Sequence, residues 1–129
     1  MSEKQTIKPA KSAPAVGPYN HAVRTGDLLF CAGQIPLDPA SGNLVTGDIK
    51  AQTQQVLQNV KAILDDQGLG FSNVVKSTVF LTNLADFAGM NEAWDAWVSA
   101  GHAPPRATVQ AALADKAWRI EIVVTAACG

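Results

Sequence analysis

Cysteine is scarce in this chain of 129 residues, which has only Cys31 and Cys128. Two sulfurs so far apart supply neither a disulfide framework nor a structural zinc site, which takes about four ligands. A reducing, cytoplasmic setting is the expectation that fits. Histidine is limited to His21 and His102, and no histidine pair at helical spacing, Asp-rich calcium loop or nucleophile elbow accompanies them. No metal site is expected. An excess of charge is missing too: ten basic residues against eleven acidic ones give a net charge of −1. Without a basic stripe to collect on a phosphate backbone, nucleic acid is not an expected partner. No apolar run approaches the roughly 20 residues of a membrane span, and no apolar stretch follows the early lysines as it would in a signal peptide. A soluble, unexported protein with no membrane partner is expected.

What is present is globular: 47% hydrophobic and 16% charged residues, with no low-complexity segment, which suits one domain over residues 1–129. A short strand from Ala22, a turn at Thr25-Gly26-Asp27 and the run Leu28 to Ala32 read as a hairpin. Gln34 to Asp48, with two prolines and two glycines, reads as a long excursion. Asp48 caps a helix whose Val56, Leu57, Val60, Ile63 and Leu64 recur at three and four residues, and which stops at Gly68. Asn73 to Leu81 alternates as a strand. Phe87, Met90, Trp94, Trp97 and Val98 mark a second helix ending at Gly101. After Pro104-Pro105 come two further strands, Arg106 to Ala112 and Trp118 to Ala126.

The order ββαβαββ gives an α+β domain, a mixed sheet with both helices on one face, because strand–helix–strand crossovers are right-handed. The second and last strands are apolar on both sides while helices cover one face only, so a second subunit is expected on the other. That makes the chain a homo-oligomer of undetermined size.

Candidate chemistry gathers in the last two strands. If they form a hairpin closing around residues 113–116, Thr108 lies opposite Glu121 with Arg106 diagonal to it. A slip of one residue would turn Glu121 to the opposite face. The pattern admits two readings: an exposed cross-strand salt bridge, or a guanidinium and carboxylate retained for use on a buried strand.

Pro104-Pro105-Arg106-Ala107-Thr108-Val109 followed by Ile120-Glu121-Ile122 resembles the C-terminal signature of the RidA/YjgF family. Gly17-Pro18-Tyr19, Ala32-Gly33-Gln34-Ile35-Pro36, Val79-Phe80-Leu81 and Phe87 to Asn91 resemble further blocks of it, in the same order. The resemblance implies a chorismate-mutase-like homotrimer with clefts between subunits, and hydrolysis of 2-imino and 2-enamino acids to 2-keto acids and ammonia without cofactor or metal. It implies that Arg106 binds the substrate carboxylate and that Glu121 activates water and returns a proton to nitrogen. Tyr19 and Asn91 match cleft-lining positions, and Gly33 and Thr108 match positions whose backbone contacts ligand. The chain departs from many members at Thr108 and Ala32, where they carry Cys and Ser. A non-catalytic binding module for small carboxylates is the alternative, with ribonuclease or translation inhibitor behind it.

Overall fold

The computed structural model describes residues 3–9, 17, 19–98 and 101–128. Their order is β1 (Gln5–Ile7), β2 (Ala22–Thr25), β3 (Leu28–Cys31), α1 (Ile49–Asp66), β4 (Val74–Leu81), α2 (Phe87–Asp95), β5 (Arg106–Gln110) and β6 (Ile120–Ala127). One six-stranded sheet runs β1-β2-β3-β6-β4-β5. β4 and β5 are parallel, and all other neighbours are antiparallel. The expected α+β sheet with two helices is present. It gains one strand, β1, too short to carry a periodic signal.

Helix α1 begins where Asp48 accepts a hydrogen bond from the Ala51 N–H at 3.0 Å and satisfies one of the free donors of the first turn. It ends in a Schellman arrangement: the Leu69 N–H donates to Leu64 O at 2.9 Å, and the Gly68 N–H donates to Asp65 O at 3.0 Å. Gly68 supplies the φ of 70° which that turn requires. Val56, Leu57, Val60, Ile63 and Leu64 pack with Val79, Leu81, Ile120, Ile122 and Val124 of the central strands into one core. Each fully buried aliphatic side chain there contributes about 2 kcal/mol of transfer free energy. The second helix stops at Asp95 rather than reaching Gly101; residues 99 and 100 of the expected span lie outside the described set. No helix among the described residues is long and apolar enough to cross a membrane.

The expected C-terminal hairpin is absent. β5 follows a right-handed crossover through α2 and therefore lies parallel beside β4, and β6 takes the other side of β4. The link between them passes the end of β4. Ala111 N–H donates to Leu81 O at 3.0 Å on entry, and Thr82 N–H donates to Arg119 O at 3.1 Å on exit. Thr108 thus stands opposite Val79, and Glu121 stands opposite Phe80.

Candidate functional site

The sheet-edge strand β5 carries Arg106 in register with Ser77. Ser77 is buried, and both its hydroxyl and its N–H donate to Pro105 O, at 2.8 and 3.0 Å. Cross-strand partners project to one face, so Arg106 turns with Ser77 to the helix side. Its guanidinium carbon lies 5.0 Å from the Trp94 ring centroid and 5.8 Å from that of Phe87. Nη1 approaches Met90 Sδ at 3.7 Å. The rings attract the cation through their negative faces. Burial lowers the Arg106 pKa from its ordinary value, and the Asp95 carboxylate works the other way.

Among the described residues Arg106 enters no salt bridge. Aromatic faces saturate none of its N–H donors, so the fork remains open to a carboxylate. Thr108 follows on the same face with its Oγ1 shielded and without a hydrogen-bond partner. Asn91 sits one turn beyond Phe87 and one turn before Trp94 on α2, on the stripe that meets Arg106.

Glu121 belongs to the other face. Along β6, Ile120, Ile122, Val124 and Ala126 are buried beneath the helices, and Glu121, Val123 and Thr125 alternate away from them. The carboxylate rests on Gly33. A Cβ added there would stand 2.6 Å from Oε2 and 2.7 Å from Cδ of Glu121, too close for any residue but glycine without moving the acid. The next residue locks the approach: Gln34 N–H donates to Ile122 O at 2.8 Å, and Ile122 N–H donates to Gln34 O at 3.1 Å. Burial raises the Glu121 pKa above the ordinary carboxylate value.

Gln34 Nε2 donates to Ala32 O at 3.1 Å and lies 3.4 Å from His21 Nδ1. Ala32 N–H donates to His21 O at 2.8 Å, which puts Tyr19, two residues earlier, at the Gly33 end of the sheet. Tyr19 is 44% exposed. Pro18, within the block Gly17-Pro18-Tyr19, lies outside the described residues. Cys31 is buried in the core, and its thiol is pushed up to about 12 by burial and by Cys128, which removes it as a thiolate near neutral pH.

The six expected site residues therefore form two groups. Gly33 and Glu121, with Tyr19 at the same end, occupy one; Arg106, Thr108 and Asn91 occupy the other. The hairpin that was expected to set Thr108 between Arg106 and Glu121 is corrected by the sheet order, and the exposed Arg–Glu salt bridge fails with it. Phe87, Met90 and Trp94 were readable only as a helix stripe, since nothing in their spacing tells which strand they cover. Ser77 sits in an alternating strand at a position any small apolar residue would fit. The face opposite the helices leaves Leu28, Phe30 and Val109 at 39, 45 and 41% exposure, an uncovered apolar surface of the expected kind.

The six-stranded α+β sheet, with an edge-strand arginine held open by aromatic rings and a desolvated carboxylate seated on a glycine, places the chain in a class of small single-sheet α+β proteins. The chain belongs to the endoribonuclease L-PSP family, also called RidA/YjgF, whose model matches residues 10–128. It is 39% identical over 126 residues to the 2-iminobutanoate/2-iminopropanoate deaminase of Homo sapiens, covering 98% of this chain and 91% of that protein. The solved structure of RidA from the Antarctic bacterium Psychrobacter superposes with a TM-score of 0.89 at 41% identity, covering 95% and 98% of the two chains. E. coli TdcF, solved with bound serine, gives a TM-score of 0.87 at 36% identity with the same coverage.

Proposed function

We propose that this chain hydrolyses 2-imino acids and their enamine tautomers to 2-keto acids and ammonia, in the cytoplasm, at clefts between the subunits of a homo-oligomer, a trimer on the family's pattern. The observation that carries the reading is the separation of an unpaired, aromatic-held Arg106 from a desolvated Glu121 across one sheet, with an uncovered apolar face for a second copy. One chain supplies Arg106 with Thr108 and Asn91, and its neighbour supplies Glu121 with Gly33 and Tyr19.

Arg106 grips the substrate carboxylate with two parallel N–H bonds, geometry that a lysine does not reproduce. Glu121 takes a proton from water as the water oxygen adds to the C=N carbon of the protonated imine, whose nitrogen receives the π electron pair, giving a neutral carbinolamine. The carboxylic acid then protonates that nitrogen, the C–N bond breaks, the hydroxyl proton returns to the Glu121 carboxylate and passes to the ammonia, and keto acid and ammonium depart. A base raised toward neutrality by burial suits both steps, because proton transfer is most effective when pKa and working pH are close. The backbones of Gly33 and Thr108 contact the ligand, so the Thr108 hydroxyl in place of a thiol leaves the reaction intact.

In a coupled assay with iminobutyrate generated by a dehydratase, Arg106→Ala abolishes keto-acid release above the uncatalysed rate while the oligomer persists. Unchanged turnover overturns the reading. The bound serine in E. coli TdcF supports a second reading, a module that holds small carboxylates without chemistry. Arg106-dependent affinity for a keto acid with no hydrolysis selects it. The ribonuclease in the family's name finds no basic stripe in a chain of net charge −1.

A further inference from the structure

We propose that Asn59 and Gln52, two buried amides of α1, are positioning residues for Glu121 that hold the chain on both sides of its carboxylate; this rests on reading Glu121 as the acid–base group. The two stand seven residues apart, close to two full helical turns, and so share a face. That face is the apolar stripe of α1, where a leucine would serve packing equally well. A buried amide is costly unless its hydrogen bonds are made. These two are satisfied almost wholly by main-chain groups outside the helix.

Asn59 Nδ2 donates to Ile35 O at 3.0 Å and to Leu37 O at 2.9 Å. Its Oδ1 accepts from Gln55 Nε2 at 3.0 Å, which turns the amide so that both donors face those carbonyls. Gln52 Nε2 donates to Ala117 O at 3.1 Å and to Val45 O at 3.4 Å, and its Oε1 accepts from Arg119 N–H at 2.8 Å. Ile35 lies two residues after Gly33, and Arg119 two residues before Glu121. Asn59 thus grips the segment that carries the carboxylate's seat, and Gln52 grips the segment that carries the carboxylate.

The sheet holds one side of this site, since β6 pairs with β4 through Glu121 itself, opposite Phe80, and Thr82 N–H donates to Arg119 O. The β3 side is held far less. β3 pairs with β6 only from Leu28 to Phe30, opposite Ala127 to Thr125. Near Glu121 the ladder is reduced to the single bridge between Gln34 and Ile122. Without the Asn59 amide, that bridge and the Ala32 N–H bond to His21 O are left to keep Gly33 on the acid.

The test uses the full chain and three variants: Asn59→Leu, the milder Asn59→Ser, which keeps one donor, and Gln52→Leu. Four quantities are read: backbone amide exchange, the titration midpoint of the Glu121 carboxyl by ¹³C NMR, and kcat and KM for imine hydrolysis. Expected are faster exchange at Gln34 and Ile122 with Val124 still protected, and a Glu121 midpoint lowered toward the ordinary carboxylate value as water reaches it. A fall in kcat of about tenfold to a hundredfold accompanies these, because small displacements of a reacting group are that costly. KM stays within about twofold, since the Arg106 group is untouched.

Unchanged exchange and midpoint overturn the proposal, as does faster exchange with midpoint and kcat unchanged. Loss of protection across the whole sheet in all three variants makes the amides scaffold only and also overturns it. Should the parent chain hydrolyse no imine, the proposed function falls by itself, and exchange with the Glu121 midpoint still decides the positioning role.

Discussion

Arg106 and Glu121 lie on opposite faces of one sheet: Arg106 is in register with the buried Ser77 of β4, and Glu121 with Phe80 three residues further along the same strand. Residues an odd number apart on a strand project to opposite sides. The sheet separates the guanidinium from the carboxylate of its own chain, and for this reason the proposed site draws the two from different copies.

The Gly33 seat gives a sharp separation of stability from activity. The atoms nearest a Cβ at position 33 are the far end of the Glu121 side chain, with Oε2 at 2.6 Å, and that end swings away at little cost to the fold. Gly33→Ala should keep its unfolding free energy within about 1 kcal/mol of the parent while kcat falls about a hundredfold, as expected for a displaced acid–base group. Denaturant titration and steady-state kinetics on one preparation check it.

Ser77 governs the other group. Its hydroxyl and N–H converge on Pro105 O, directly before Arg106. Ser77→Ala removes one of the two bonds, costs about 1 kcal/mol of stability and loosens the arginine. KM should rise about three- to tenfold with kcat little changed, since carboxylate binding is shared by ground state and transition state. A kcat effect larger than the KM effect contradicts this assignment.

Thr108 carries a shielded hydroxyl with no partner. A buried unsatisfied group costs about 1 kcal/mol or more, so Thr108→Val should raise the denaturant midpoint. Turnover should be unchanged, because the role assigned to position 108 is a backbone one. A destabilised or inactive Val variant would show that the hydroxyl is bonded in the assembled protein.

Glu121 also sets a pH dependence of stability. Burial raises its folded-state pKa, so the folded chain holds that proton more tightly than the unfolded chain does. The native-state advantage is full below the ordinary carboxylate pKa and is lost as pH rises through the raised value. Glu121→Gln removes this loss. The variant should melt higher than the parent near neutral pH, and the gap should close below the ordinary carboxylate range. A gap that widens on acidification would reverse the sign.

The helices and the hairpin of β2 and β3 were legible because their signals are local: Asp48 as cap, Gly68 as stop, apolar residues at three and four, and Thr25-Gly26-Asp27 as turn. The insertion of β4 between β5 and β6 is a non-local pairing, and an apolar eight-residue strand such as Val74–Leu81 carries no mark of its neighbours. Arg106 and Glu121 were identifiable as residues through their motif, yet their relation depended on that pairing and was drawn wrongly. The rings around Arg106 and the amides behind Glu121 looked like ordinary members of helix stripes. Their partners come from distant parts of the chain.

Subunit complementation tests the shared-site claim most directly. Arg106→Ala and Glu121→Gln chains, each inactive alone, are mixed, dissociated and reassembled, and imine hydrolysis is measured. If the site is built from two copies, mixed oligomers contain some clefts with both residues intact, and activity returns in the statistical proportion of such clefts. Mixed oligomers that form but remain as inactive as the separate variants would contradict the account.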